Sequence, residues 1–335
     1  MPDRRTISPR NDQRSQTRQG AREVVVDENG AGQRIDNFLM TRLKGLPRAR
    51  IYRCLRRGEV RVNSARIRQH YRLKPGDVVR IPPLRLGAQA PATTPNAALI
   101  ALVADRVIFE DRALIVLDKP SGVAVHGGSG RSYGIIEALR AARGTREHLE
   151  LVHRLDRDTS GCLMVAKRRA VLTGLHAQLR RGEVEKRYSL LVAGRWRGGA
   201  RTVQAPLRKN VARSGERVVT LDEHGRQART RFRPLAVSAR ASLLEAVALT
   251  GRTHQIRVHA ASLGHFPAGD AKYGDRAFNR ELRALGLRRL FLHAESLRFA
   301  NPRDGAVVEV AAPLPDDLRA VLAELGLDAC AASRP

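Results

Sequence analysis

The chain is expected to be α+β, with a small basic module built on a helix pair followed by a larger domain around a mixed, largely antiparallel sheet. Beyond residue 99, strand-like segments follow one another with few helical patterns between them, which is the order of hairpins rather than of βαβ crossovers. Composition breaks twice, after about residue 25 and across residues 87–98, and sets a short module apart. Within that module two helical apolar patterns precede short strands punctuated by Asn63-Ser64 and Pro75-Gly76-Asp77.

A length of 335 residues suits two domains better than one, and a 42% hydrophobic content can fill a core. The charge is more informative. Lys and Arg number 61 against 33 Asp and Glu, a formal net charge of +28, so a polyanionic partner is expected. An anionic membrane is the competing polyanion. The sequence has no run of about eighteen apolar residues, no signal-peptide core and no lipidation motif, so a cytoplasmic protein without membrane attachment is expected. Cys54, Cys162 and Cys330 lie far apart with no C-x-x-C pair, which argues against a disulfide framework or a zinc cluster.

In chain order, residues 1–25 read as a disordered basic tail, because the first 22 hold six Arg and almost nothing apolar. The module spans residues 30–86. Ile35, Phe38, Leu39 and Leu43 mark its first helix; Ile51 and Leu55 stripe a second, with Pro47 near its first turn and Gly58 just past its end. The second helix also carries Arg48, Arg50, Arg53, Arg56 and Arg57, too dense for a face of paired charges. From Arg34 to Arg85 there are fifteen Arg or Lys against Asp36, Glu59 and Asp77. These arginines are candidate contacts to the polyanionic partner, since guanidinium groups neutralise phosphates.

Residues 87–98, with Gly87, Pro91 and Pro95, read as a linker to a domain over 99–328 and a short tail at 329–335. In that domain, strands are expected at 113–119, 151–153, 188–193, 229–237 and 242–249. A helix is expected at 168–181, a helical pattern from His254 to Leu263, a hairpin turn at 301–305 and a final helix from about Pro315.

The segment His153-Arg154-Leu155-Asp156-Arg157-Asp158-Thr159-Ser160-Gly161 lies between two apolar strands and sets two carboxylates among cations. Neighbouring cations favour an ionised carboxylate, suited to nucleophilic or electrostatic work. The residues by themselves leave Asp156 and Asp158 equally eligible. His153, His254 and His259 match no zinc spacing, and Ser160 lacks the G-x-S-x-G elbow of a serine hydrolase. No metal and no cofactor is therefore expected.

HRLDRDTSG is similar to the signature loop of the RNA pseudouridine synthase family that includes the large-subunit ribosomal RNA enzymes. LDKPSGVAVH (117–126), KRYSLLV (186–192) and GRTHQIRVH (251–259) resemble its other motifs, and residues 34–83 resemble the S4 RNA-binding domain, a helical module with an αL motif. The resemblance implies cofactor-free isomerisation of uridine, with Asp156 rather than Asp158 as the catalytic carboxylate. It further implies that Tyr188 stacks on the target base and that Arg257 pairs with the aspartate. Arg154 would fill the stack that the base vacates, and His254 would contact RNA beside Arg257. The substrate it suggests is 23S ribosomal RNA, met by a monomer as free RNA or an assembly intermediate. Transfer RNA or other ribosomal sites would use the same residues, and a non-catalytic assembly factor would keep the charge without needing Asp156, Tyr188 and Arg257 in three separate motifs.

Overall fold

The computed structural model describes residues 18–43, 45–85, 94–127, 133–144, 148–211 and 217–328. The chain divides into one unit over 1–93 and another over 94–335.

The first unit comprises β1 (Arg18–Gln19), β2 (Arg22–Val25), α1 (Ile35–Arg42), α2 (Arg48–Arg57), β3 (Arg61–Val62), β4 (Ala65–Arg66), β5 (Val78–Ile81) and β6 (Leu84–Arg85). β2, β5, β3 and β4 form an antiparallel sheet in that order. The helix pair lies where its apolar spacing demands, with Ile35, Phe38 and Leu39 of α1 and Ile51 and Leu55 of α2 in one core with Val62, Val79 and Ile81. α2 stops at Gly58, whose φ of 67° is left-handed and whose missing Cβ leaves room for the Arg66 side chain. The module is more one-sided than its composition suggests. Asp36 is buried against Arg34 and Tyr52, and Asp77 accepts hydrogen bonds from the Lys74 amide, Asn63 and Tyr71. Two of the three acids are thus structural, and Arg48, Arg53, Arg56 and Arg57 stay exposed.

One boundary needs correction. The tail expected over 1–25 ends earlier, since Arg22–Val25 is a strand paired with β5 in the register Val24↔Val79. A strand can add to a sheet edge through its backbone with little apolar burial of its own, so the polar composition around it was misleading. Residues 1–17 of that tail, the module's last residue 86, 87–93 of the expected linker and the tail at 329–335 lie outside the described residues.

The second unit comprises α3 (Ala97–Ala104), β7 (Val107–Glu110), β8 (Leu114–Lys119), α4 (Ile135–Arg143), β9 (Glu150–Leu151), β10 (Ser160–Ala166), α5 (Arg169–Arg181), β11 (Glu185–Ala193) and β12 (Arg201–Gln204). It continues with β13 (Leu207–Val211), β14 (Arg217–Leu221), β15 (Arg229–Val237), β16 (Ala241–Ala248), α6 (Gln255–Ser262), α7 (Arg276–Ala284), β17 (Leu292–Ala300), β18 (Val307–Ala311) and α8 (Asp316–Glu324). One sheet runs β12-β15-β16-β11-β17-β10-β8-β7, with β18 beside β17 and β9 beside β10. Its pairs are antiparallel except β10 with β17, the mixed, largely antiparallel arrangement expected. α3 overlaps the end of the expected linker, because Asn96 caps it by accepting from the Leu99 amide at 2.8 Å.

The sheet has cores on both faces, which is why β8, β10 and β16 are buried along their whole length instead of alternating. Leu163 and Val165 of β10 pack with Leu190, Phe232, Leu244 and the α4 residues Ile135 and Leu139. Cys162 and Met164 face the other way, against Val171, Leu172 and Leu175 of α5. Burying a Leu- or Phe-sized side chain contributes roughly 1.5–3 kcal/mol, so the central strands are the rigid part of the unit. Among the described residues no helix is long and apolar enough to cross a membrane.

Candidate active site

The loop 153–159 enters the sheet through β10. Leu155 is buried, fixing the loop, while Arg154 on one side is exposed and Asp156 on the other keeps 26% of its side-chain surface. Gly161 sets the exit. Its φ is +104°, and an added Cβ would lie 2.2 Å from the Ala294 carbonyl oxygen where β10 meets β17. Only glycine permits that approach.

The segment Lys119–Val123 holds the loop from behind. Lys119 is fully buried and donates to the Pro120, Val123 and Arg157 carbonyls at 2.8, 2.8 and 2.9 Å. The Ser121 hydroxyl donates to the Asp158 carbonyl at 2.7 Å, and the Gly122 amide to that of Arg157 at 3.0 Å. Burial pushes the Lys119 ammonium down to about 7, against the Asp158 and Asp156 carboxylates that favour its charge. Three carbonyl acceptors match the three N–H donors of the charged form.

Arg257 lies on α6 with Ile256 and Ala260 buried beside it. Its Nη1 donates to Asp156 Oδ2 at 3.0 Å, and its Nε and Nη2 donate to Asp270 at 2.6 and 2.9 Å. Burial opposes the guanidinium charge, but Asp270 and then Asp156 outweigh it and raise the pKa further. Burial would raise the Asp270 carboxyl too. The Arg257 hydrogen bonds and charge, with the Lys272 and Tyr273 amides, hold it below its ordinary value instead. The result is a fixed cation against a reachable carboxylate.

Tyr188 stands on β11 at a bulge in its pairing with β17, opposite Ala294 on one side and Ala246 on the other. Small neighbours leave room for the ring, and a bulge re-aims the side chain. Burial and the nearby Asp156 carboxylate push its phenol up, so the hydroxyl keeps its proton. His254 precedes α6 with φ of 54°, a conformation in which His is enriched. Its Nε2 is 3.9 Å from Asp156 Oδ2, too far for a hydrogen bond and close enough to act on whatever the carboxylate touches.

Of the residues expected from sequence, Asp156, Arg257, His254 and Tyr188 therefore cluster, and Arg154 is exposed on the same loop. Asp158 separates from them, its carboxylate 44% exposed and paired with the neighbouring Arg157 at 2.8 Å. The arginines of α2 belong to the other unit. There Arg50 and Arg57 lie 3.8 and 3.9 Å from Glu59, and Arg48 donates to the Tyr52 hydroxyl at 3.1 Å.

His153 and His259 have structural partners. His153 accepts from the Met164 amide at 3.1 Å, and burial pushes it down to about 3, so it is neutral. His259 has one ring nitrogen 2.9 Å from the Thr230 hydroxyl and the other 3.1 Å from the Ala205 carbonyl. The Gln255 amide nitrogen also donates to Thr230 and to the Arg229 carbonyl, so His259 and Gln255 together bolt α6 to β15. Asp270, Tyr273 and Lys119 were not singled out from sequence. The available signal was Arg257 itself, because an arginine among buried apolar neighbours requires a carboxylate.

The chain belongs to the RNA pseudouridylate synthase family: residues 113–262 match the family described as RNA pseudouridylate synthase, and residues 33–79 match the S4 domain. Within it, the chain is similar to proteins named ribosomal large subunit pseudouridine synthase C. The one from Escherichia coli (strain K12) is 50% identical over 305 residues, covering 90% of this chain and 96% of the relative. That from Pasteurella multocida (strain Pm70) is 49% identical over 309 residues, covering 92% and 94%. Among solved structures, human RNA pseudouridylate synthase domain containing 1 aligns with a TM-score of 0.53 at 28% identity, over 67% of this chain and 86% of that one. Human RNA pseudouridylate synthase domain containing 4 shares the fold, with a TM-score of 0.57 at 24% identity over 68% of this chain and 96% of that one.

Proposed function

We propose that this chain isomerises specific uridines of 23S ribosomal RNA to pseudouridine, with Asp156 as the catalytic carboxylate. One observation carries the choice of residue: a buried arginine, clamped by Asp270, directs its remaining Nη1 at Asp156 while the carboxylate stays reachable. The bond from N1 to C1′ breaks, uracil turns while bound, and C5 joins C1′. N1 gains a proton and C5 loses one, so no oxidant, reductant or external group enters. Asp156 serves either by attacking C1′ or by taking the 2′ proton to give a glycal. Arg257 holds it in place through the Nη1 hydrogen bond.

The reacting atoms are out of reach inside a stacked helix, so the nucleotide must be extruded at a cost of a few kcal/mol. Tyr188 offers a ring for the extruded base, and the exposed Arg154 fills the gap left behind. His254 touches the RNA beside Arg257. The arginines of α2, Arg48, Arg50, Arg53, Arg56 and Arg57, contribute phosphate affinity with little sequence reading. The net charge of +28 disfavours self-association, which supports action as a monomer on free ribosomal RNA or an assembly intermediate. Cys54 and Cys162 are free and buried, in keeping with the reducing cytoplasm.

The test is tritium release from C5-labelled uridine RNA, with pseudouridine mapping of total RNA made with and without the gene product. Signals lost from large-subunit RNA alone support the proposal. Loss confined to transfer RNA moves the substrate, and no tritium release removes the activity.

A further inference from the structure

The β13–β14 hairpin and the Arg257 cluster share one residue that the reaction as described does not use. The Tyr273 hydroxyl accepts from the Val219 amide of β14 at 2.8 Å and lies 2.9 Å from His254 Nδ1. Its ring lies 5.0 Å from the Arg257 guanidinium carbon and meets the His254 ring edge-on at 5.5 Å. The ring also packs against Leu207, Val219 and Val258, which join the hairpin to α6.

Counting protons favours one direction for these bonds. A phenol has one proton to give, and its oxygen already receives the Val219 N–H. Were His254 Nδ1 protonated, two N–H groups would point at that oxygen and the phenol proton would have no acceptor among the described residues. If the phenol donates to Nδ1 instead, every group is used once. Burial raises the Tyr273 pKa, which keeps that proton in place. The His254 proton then resides on Nε2, the nitrogen 3.9 Å from Asp156 Oδ2.

We infer that Tyr273 is a positioning residue that locks His254 in its Nε2–H tautomer, aiming a neutral N–H donor at the uridine bound against Asp156 and tying that donor to the seating of the β13–β14 hairpin. This rests on Asp156 as the catalytic carboxylate. The gap between Nε2 and the carboxylate leaves the N–H available to an oxygen of the bound nucleotide. A histidine with the opposite tautomer would present a lone pair there and repel the same oxygen.

The experiment is a two-bond proton–nitrogen NMR spectrum of the full chain with ¹⁵N-histidine, the His254 signals being assigned by their disappearance in His254→Gln. The wild-type protein is expected to show His254 as Nε2–H, and Tyr273→Phe, which keeps the ring beside Arg257, is expected to show both tautomers. Single-turnover tritium release should fall about tenfold in Tyr273→Phe, as for one well-placed hydrogen bond, with RNA affinity unchanged. Added to His254→Gln, Tyr273→Phe should cause no further fall. An Nδ1–H tautomer in the wild-type protein, an unaltered tautomer in the variant, or fully additive losses each overturn the inference. Should Tyr273→Phe fail to fold, the wild-type spectrum still decides. Failure of the Asp156 assignment is separately visible, because an active Asp156→Asn protein would leave the tautomer spectrum as it is.

Discussion

Asp270 grips Arg257 through two hydrogen bonds, 2.6 and 2.9 Å long, and thereby decides which guanidinium nitrogen is left for Asp156. The arrangement keeps a buried cation neutralised on one edge and directed on the other. A single carboxylate opposite Arg257 would have had to serve both purposes, and a carboxylate locked in a bidentate pair is not free to react.

Asp270→Asn removes the clamp's charge while keeping its shape. Breaking a buried pair by neutralising one partner costs roughly 3–5 kcal/mol, and Arg257 should swing towards Asp156. Turnover is expected to fall with stability, and urea unfolding beside single-turnover rates measures both. The pH dependence has a definite sign. Because the folded-state carboxyl titrates below its unfolded value of 3.8, Asp270 contributes stability above that pH and loses it as pH falls through the folded pKa. The stability gap between wild type and Asp270→Asn should therefore narrow below about pH 4. A gap constant from pH 7 to pH 2 would show that the charge is immaterial.

Asp156→Asn should abolish turnover by about three powers of ten or more, with folding and RNA affinity kept. Asp158→Asn should be mild. Its pair with Arg157 is exposed, so the loss is below about 1 kcal/mol, less than a buried turn carboxylate would give. Robust tritium release by folded Asp156→Asn would falsify the catalytic assignment.

Tyr188→Phe keeps the ring between Ala246 and Ala294, so activity survives if stacking is what matters and falls if the hydroxyl handles a proton. Because the phenol keeps its proton, it can act as a donor but not as a base at neutral pH. Tyr188→Leu should lose most turnover on either route. A fully active leucine variant would return Tyr188 to the ordinary core.

Replacing the exposed Arg53 and Arg56 of α2 by Ala should weaken RNA binding and lower the log-log salt slope by about 0.7–0.9 for each phosphate no longer neutralised. The rate at saturating short RNA should not change. Binding isotherms at several salt concentrations provide the measurement, and an unchanged slope would remove α2 from the RNA interface.

Much of this was legible in the chain. Apolar spacing located α1, α2 and α5, with Pro47 and Gly58 bounding α2 closely, because periodic burial and end signals are local in sequence. The mostly antiparallel sheet followed from the order of strand-like segments. Composition established the basic module, and the motifs alone suggested Asp156, Tyr188 and Arg257. Tertiary structure decided what depends on distance along the chain. Asp270 lies 13 residues from Arg257 and Asp156 lies 101 away, and no local rule assigns a partner across such separations. The parallel pairing of β10 with β17, which requires glycine at 161, is equally nonlocal. So are the edge strand Arg22–Val25 and the anchoring of Lys119 by three carbonyls. Sequence determined which groups were present and which elements carried them; only packing determined that Asp156 faces a clamped arginine while Asp158 faces water, because burial and charge pairing are properties of the assembled sheet and not of the loop.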